Sequence, residues 1–214
     1  MDKLRIYKEK IKARAWLFCL VPSVLLAAVI TVGAYRQADA AEQAALQTHL
    51  AQQVVRFHVL ANSDSDDDQQ LKLQVRDAVL DYMKEKMPES ASAEETENWL
   101  RRHIDGIEEA SRRIVSEAGA GYPVNAAVTT CWFPEKTYGD VTFPAGNYEA
   151  LRVEIGAAKG HNWWCVLYPA LCFMDTTNAV VPDEGKQKLK NVLTEEEYSR
   201  ITADSDFKIS WFFW

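Results

Sequence analysis

Four acids crowd the stretch Asn62-Ser63-Asp64-Ser65-Asp66-Asp67-Asp68, and three of them have the spacing of an oxygen-ligand calcium loop. Asp64, Asp66 and Asp68 match the first three ligands of such a loop. The loop then requires a glycine at its sixth position and a bidentate Glu at its twelfth, where this chain has Gln69 and Val75. Calcium chelation fails on both counts. The same acids suit a helix start, because Ser65 stands three residues before Asp68 as a capping-box-like pair. Negative side chains in a first turn also meet the partial positive charge of a helix N-terminus. The stretch reads as a cap.

A second chemistry would use Cys165 as a nucleophile with His58 or His161 as its base. A thiolate needs its base within hydrogen-bond reach and a third group to orient that base. His161 lies four residues away along an extended segment, where reaching back is awkward. Cys165 sits in an apolar run, Trp163 to Leu167, which raises a thiol pKa rather than lowering it. An exported thiol hydrolase is therefore an alternative reading, not the leading one. Metal chemistry has less support: no H-E-x-x-H and no C-x-x-C occurs, and His49, His58, His103 and His161 are scattered. No G-x-S-x-G elbow and no Gly-rich phosphate loop appears, so no cofactor is expected.

The elements that position these residues follow from periodicity. Residues 40 to 52 form a short helix or helical spacer. Gln53 to Ala61 reads as a strand, with Val55, Phe57 and Val59 on one face and Val54, Arg56, His58 and Leu60 on the other. Beyond the acidic turn, Leu71, Val75, Ala78, Val79, Tyr82 and Met83 follow helical spacing, and Pro88 ends the run. A second helix is predicted over Ala93 to Ala118, stopped by Gly119. After Pro123 the predicted strands are Val124 to Phe133, Tyr148 to Ile155, Trp163 to Leu167 and Phe207 to Trp214, with a short helix over Thr194 to Ile201. A Gly/Pro-punctuated loop fills 134 to 146. This order gives an α+β fold, helices packed on a mostly antiparallel sheet.

The N-terminus looks like an export signal. Lys3, Arg5, Lys8, Lys10, Lys12 and Arg14 precede Ala15 to Ala34, a run with no acid or base except Cys19. At about 1.5 Å per residue such a run spans a hydrocarbon core, and a basic flank holds its N-terminus inside. The run's length favours an uncleaved anchor, whereas Ala38-Asp39-Ala40 favours cleavage after Ala40. Residues 1–40 are thus a signal peptide or signal anchor, and 41–214 a single exported domain. From Ala41 onward, 17 Lys and Arg stand against 28 Asp and Glu, a net charge of −11. So acidic a domain does not track nucleic-acid backbones, which need clustered cations. Three cysteines, Cys131, Cys165 and Cys172, are too few for a disulfide scaffold. If Tyr168-Pro169 turned a two-residue hairpin, Cys165 and Cys172 would face each other, although proline disfavours that turn. That pairing is preferred to one with Cys131.

Two segments are candidates for contacting a partner: the loop Lys136 to Gly146 and the approach Gly160-His161-Asn162-Trp163. They carry Lys136, Tyr138, His161, Asn162 and Trp163, and loops hold contacts without straining a core. The competing reading is that Gly139 and Gly146 serve tight turns and Tyr138 packs inward. The tail Lys208-Ile209-Ser210-Trp211-Phe212-Phe213-Trp214 alternates with apolar residues on both faces, as a central strand or a docking surface would.

Several segments together resemble the stage II sporulation protein R family of endospore-forming bacteria. They are Arg56-Phe57-His58-Val59-Leu60-Ala61-Asn62-Ser63-Asp64, Leu71-Lys72, Val75-Arg76-Asp77-Ala78-Val79, Lys136-Thr137-Tyr138-Gly139, Pro144-Ala145-Gly146 and Tyr148-Glu149-Ala150-Leu151-Arg152. Gly160-His161-Asn162-Trp163-Trp164-Cys165-Val166-Leu167-Tyr168-Pro169 and Leu171-Cys172-Phe173 complete the set. The resemblance covers about residues 54 to 175. It implies a signal rather than an enzyme, made in the forespore and exported into the space between two membranes. Its partner would be a membrane-embedded aspartic-type protease of the mother cell, which removes the pro-sequence of a sigma factor. An inert wall- or membrane-binding module is the remaining alternative.

Overall fold

The computed structural model describes residues 2–89, 92–171 and 183–203. Two compact units emerge, Met1–Leu46 and Gln47–Trp214. The first is the larger part of helix α1 (Asp2–Gln53). From Leu20 this helix is long and apolar enough to cross a membrane, with a mean hydropathy of 1.4. Leu25, Leu26, Val29 and Ile30 are all exposed along it, as apolar side chains meant for lipid would be.

The second unit is an α+β layer. Strand β1 (Val55–Leu60) is central and buried at all six positions. It pairs in parallel with β5 (Gly146–Ile155) and antiparallel with β6 (Asn162–Tyr168), while β2 (Val124–Phe133) pairs antiparallel with β5. The order β2-β5-β1-β6 makes a mixed sheet, antiparallel at two of its three junctions. One face carries α2 (Asp66–Lys86), α3 (Ala93–Arg102) and α4 (Ile104–Glu117). Phe57, Val59, Leu151, Val153 and Ile155 from the strands meet Leu71, Val75, Val79, Met83, Leu100, Ile107 and Val115 from the helices in one core. Each such side chain, fully buried, stabilises by about 1.5–3 kcal/mol.

The single helix expected over Ala93 to Ala118 is two helices, broken at His103 (φ −113°, ψ 14°). The His103 ring stacks on Trp99 at 4.1 Å with its Nδ1 2.8 Å from the Trp99 carbonyl oxygen, fixing a turn that periodicity does not register. Beyond the break, Gly106 lies so close to α2 that a Cβ there would meet the Tyr82 hydroxyl at 2.1 Å. The segment expected as a loop over 134 to 146 contains a small hairpin, β3 (Lys136–Tyr138) and β4 (Val141–Phe143). Helix α5 (Asp183–Val192), not anticipated from the sequence, precedes α6 (Glu195–Ala203), which packs against β4. The predicted strand Phe207 to Trp214 lies outside the described residues, as does Cys172.

Candidate functional site

The candidate segment Gly160 to Trp163 is locked to the acidic turn. Ser65 caps α2 by accepting from the Asp68 N–H, as its position predicts. Asp68 also accepts from Asn62 Nδ2 at 2.8 Å and from the Ser63 hydroxyl, and these bonds hold its carboxyl below the usual range. Asp64 accepts the His161 backbone N–H at 2.6 Å and pairs with the His161 ring, so its pKa is lowered too, chiefly by the backbone bond. The Gly160 N–H reaches the Ala61 carbonyl at 3.0 Å, and the Lys159 N–H reaches that of Asn62. Gly160 must be glycine here: a Cβ would stand 2.1 Å from the Ser63 carbonyl oxygen. Asp64 and Asp68 thus serve as hydrogen-bond acceptors within the fold. Among the described residues no group of three or more His, Cys, Asp or Glu could hold a metal ion.

His161 presents its side chain outward from this clasp, 81% exposed. Asn162 next to it is half-buried, and its Oδ1 is buried without a hydrogen-bond partner. Trp163 turns to the helical face, edge-on to Phe57 at 5.5 Å with the Arg76 guanidinium 5.1 Å from its ring.

The candidate segment Lys136 to Gly146 roofs a buried cation. Arg56 is fully buried on the face of the sheet opposite α2, α3 and α4. Its Nε donates to the Cys165 carbonyl at 3.1 Å and its Nη2 to the Tyr138 hydroxyl at 3.0 Å, while Nη1 has no partner. No carboxylate pairs with it among the described residues. Instead its guanidinium carbon lies 4.5 Å from the Phe133 ring centroid, 5.1 Å from Tyr148, 5.2 Å from Phe143 and 5.6 Å from Tyr138. Aromatic faces substitute for a counter-ion by their quadrupoles. Burial pushes the Arg56 pKa down and raises both tyrosines, Tyr148 to about 12. Tyr138 is therefore half-buried packing over Arg56, in line with the inward reading, while Lys136 on the same strand is half-buried.

His58 lies two residues along the same face, between Trp164 (stacked, 4.9 Å) and Phe133 (5.1 Å). Burial first, then Arg152 and Arg56, lower its pKa to about 4, and neither ring nitrogen has a hydrogen-bond partner. This arrangement separates the proposed catalytic pair. Cys165 is the register partner of Phe57, so it shares the helical face, whereas His58 projects to the other. Cys165 is moreover disulfide-bonded and Cys131 is free. A sulfur held in a disulfide offers no thiolate. Neither His58 nor His161 is brought to Cys165.

The Arg56–aromatic cluster was invisible in the sequence as a site. A usable signal was present: a strand with Arg and His among residues buried on its other face, followed by an aromatic-rich hairpin.

The sequence profile of the stage II sporulation protein R family matches residues 51–178. The chain is 34% identical over 192 residues to stage II sporulation protein R of Bacillus subtilis (strain 168), covering 89% of this chain and 85% of that protein. No solved structure matches the chain. With its segments Arg56 to Asp64 and Gly160 to Pro169 building the clasp and the cation cluster, the chain belongs to the stage II sporulation protein R family.

Proposed function

We propose that this chain is an exported signal of endospore formation that activates a membrane-bound aspartic-type protease, which then processes a pro-sigma factor. The observation that carries the reading is the match of residues 51–178 to a sporulation family directly behind a helix apolar enough to cross a membrane. The basic N-terminus stays in the forespore, and residues 41–214 act in the intermembrane space, released if the chain is cut after Ala40 and tethered if it is not. A ligand that switches a protease must bind its active state better than its inactive one, so a defined contact surface is required. We assign it to Lys136, His161 and Asn162, with Tyr138 and Trp163 as the packing that holds them in place.

The test is pro-sigma processing in sporulating cells that carry His161→Ala, Asn162→Ala or Lys136→Ala in the full chain. Loss of processing at wild-type levels of exported protein supports the reading. Normal processing in all three moves the contact surface elsewhere, and processing in cells lacking the chain altogether removes the proposed function.

A further inference from the structure

β2 is an edge of the four-stranded sheet, and its ten residues are paired on one side only. In an antiparallel pair, residues whose N–H and C=O groups meet the neighbouring strand alternate with residues whose groups point away. Two side chains identify the outward row. Glu108 Oε2 of α4 accepts the Ala126 N–H at 3.2 Å, and Arg101 Nη1 of α3 donates to the Val128 carbonyl at 3.1 Å. These bonds guard the first half of the edge, as natural sheets commonly guard theirs. Thr130 and Trp132 continue the row, and their main-chain N–H and C=O groups have no hydrogen-bond partner among the described residues. Both residues are exposed, and Trp132, at 60%, is the most exposed large apolar side chain described outside α1.

We propose that a second copy of this chain docks on the open end, β2 against β2, antiparallel about a two-fold axis at Cys131. The register follows from which groups are free. Outward residues must face outward residues. With the axis at Cys131, Thr130 faces the partner's Trp132 and Trp132 faces the partner's Thr130, which makes four main-chain bonds. The next outward pair sets Val128 against the partner's Pro134. The Val128 carbonyl is already held by Arg101, and proline has no N–H to offer it. An axis at Thr130 would instead set Trp132 against the partner's guarded Val128, and an axis at Trp132 would set Thr130 against the partner's Pro134. Only the axis at Cys131 uses the open groups of both residues and leaves both guard bonds in place.

The charges agree with this register. Ala127 faces the partner's Glu135, an exposed acid, which therefore comes beside Arg101 at Val128. Each Trp132 ring lies over the partner's Thr130, so the same patch serves both copies, as a two-fold interface requires. Strand addition of this kind takes affinity from main-chain bonds and specificity from such side chains. Cys131 is the reporter of the axis rather than its cause. It is a free thiol, and on the axis it faces itself in a non-hydrogen-bonded pair. Cα atoms in such a pair stand about 4.5 Å apart, inside the range a disulfide bridges. The inference does not rest on the proposed protease.

Thiol cross-linking of the full-length protein in detergent micelles tests it. The chain carries Cys19→Ser, and copper phenanthroline is the oxidant that takes two electrons and two protons from a pair of thiols. A covalent dimer joined at Cys131 is expected, and peptide mapping identifies the joint. It should form at least about ten-fold faster than when the thiol is moved by Thr129→Cys with Cys131→Ser, because position 129 faces the partner's Phe133. Thr130→Pro removes an outward N–H and should abolish that advantage. Glu135→Arg, at an exposed position, should reduce it while leaving the fold intact; it decides if Thr130→Pro unfolds the sheet. Equal rates for thiols at 131 and 129 overturn the proposal, as does the absence of a dimer joined at Cys131. A rate unchanged by Glu135→Arg overturns the register.

Discussion

The Nη2 of Arg56 donates to the Tyr138 hydroxyl at 3.0 Å, joining the central strand to a hairpin 82 residues later. The bond fastens the β3–β4 hairpin over a guanidinium that has aromatic rings around it and, among the described residues, no acid. Tyr138→Phe keeps the ring but removes the acceptor, and is expected to cost about 1–2 kcal/mol; Tyr138→Ala should cost more, about 2–4 kcal/mol. Arg56→Met, which removes a buried unpaired charge while keeping its volume, should cost less than Arg56→Ala. Urea unfolding checks the order. Equal stability of Tyr138→Ala and the parent would mean that the hairpin is not held from below.

His58 makes stability depend on pH. The folded protein holds the ring neutral down to about 4, against an ordinary value of 6.5, because of burial and then Arg152 and Arg56. Between those values the unfolded chain binds a proton that the folded chain refuses. The contribution is therefore complete above 6.5 and lost as pH falls toward 4, by about 3 kcal/mol. Asp64 and Asp68, whose pKa values are lowered, lose their contributions only at still lower pH. Unfolding free energies at pH 7 and 4.5 should show the decline, and His58→Phe should flatten it while preserving the stack on Trp164. An unchanged slope in that variant would contradict the assignment.

The strands were legible where alternation was long. β2 runs from Val124 to Phe133 as its pattern predicts, and the acidic turn caps α2 through Ser65. What escaped had a local cause each time. The hydrophobic stripe of 93–118 runs through His103, so periodicity could not see a break made by one ring stacking on Trp99. The strands of the β3–β4 hairpin have three residues each, too few to show a period. The parallel pairing of Val59 with Val153 joins segments far apart in the chain, which no local pattern encodes. Of the candidate contact residues, His161 and Asn162 lie together beside the acidic turn, whereas Tyr138 packs over Arg56, a burial that polarity alone hid.

The clasp between Gly160 and Ser63 predicts its own weak point. Gly160→Ala places a methyl group against the Ser63 carbonyl and should cost about 2 kcal/mol. Ser65→Ala, which removes the cap on Asp68 N, should cost about 1 kcal/mol. Added calcium should leave the melting temperature unchanged in the parent protein. A calcium-dependent rise would show that the carboxylates do more than accept hydrogen bonds.

Peptide mapping of unreduced protein should recover Cys131 as a free thiol and Cys165 in a disulfide. The proposed partner is Cys172, and so short a loop limits the stability lost on reduction to about 2 kcal/mol. Recovery of Cys131 in the bridge would contradict the arrangement.

Export-coupled activation is tested most directly by producing three proteins in a bacterium that does not sporulate: this chain, the membrane-bound protease and the pro-sigma factor. Cleavage of the pro-sigma factor is expected only when all three are present, and should be lost when residues 1–34 are deleted so that the domain stays in the cytoplasm. Cleavage that is the same without this chain, or undiminished when its domain never leaves the cytoplasm, would contradict a signal acting from outside the membrane.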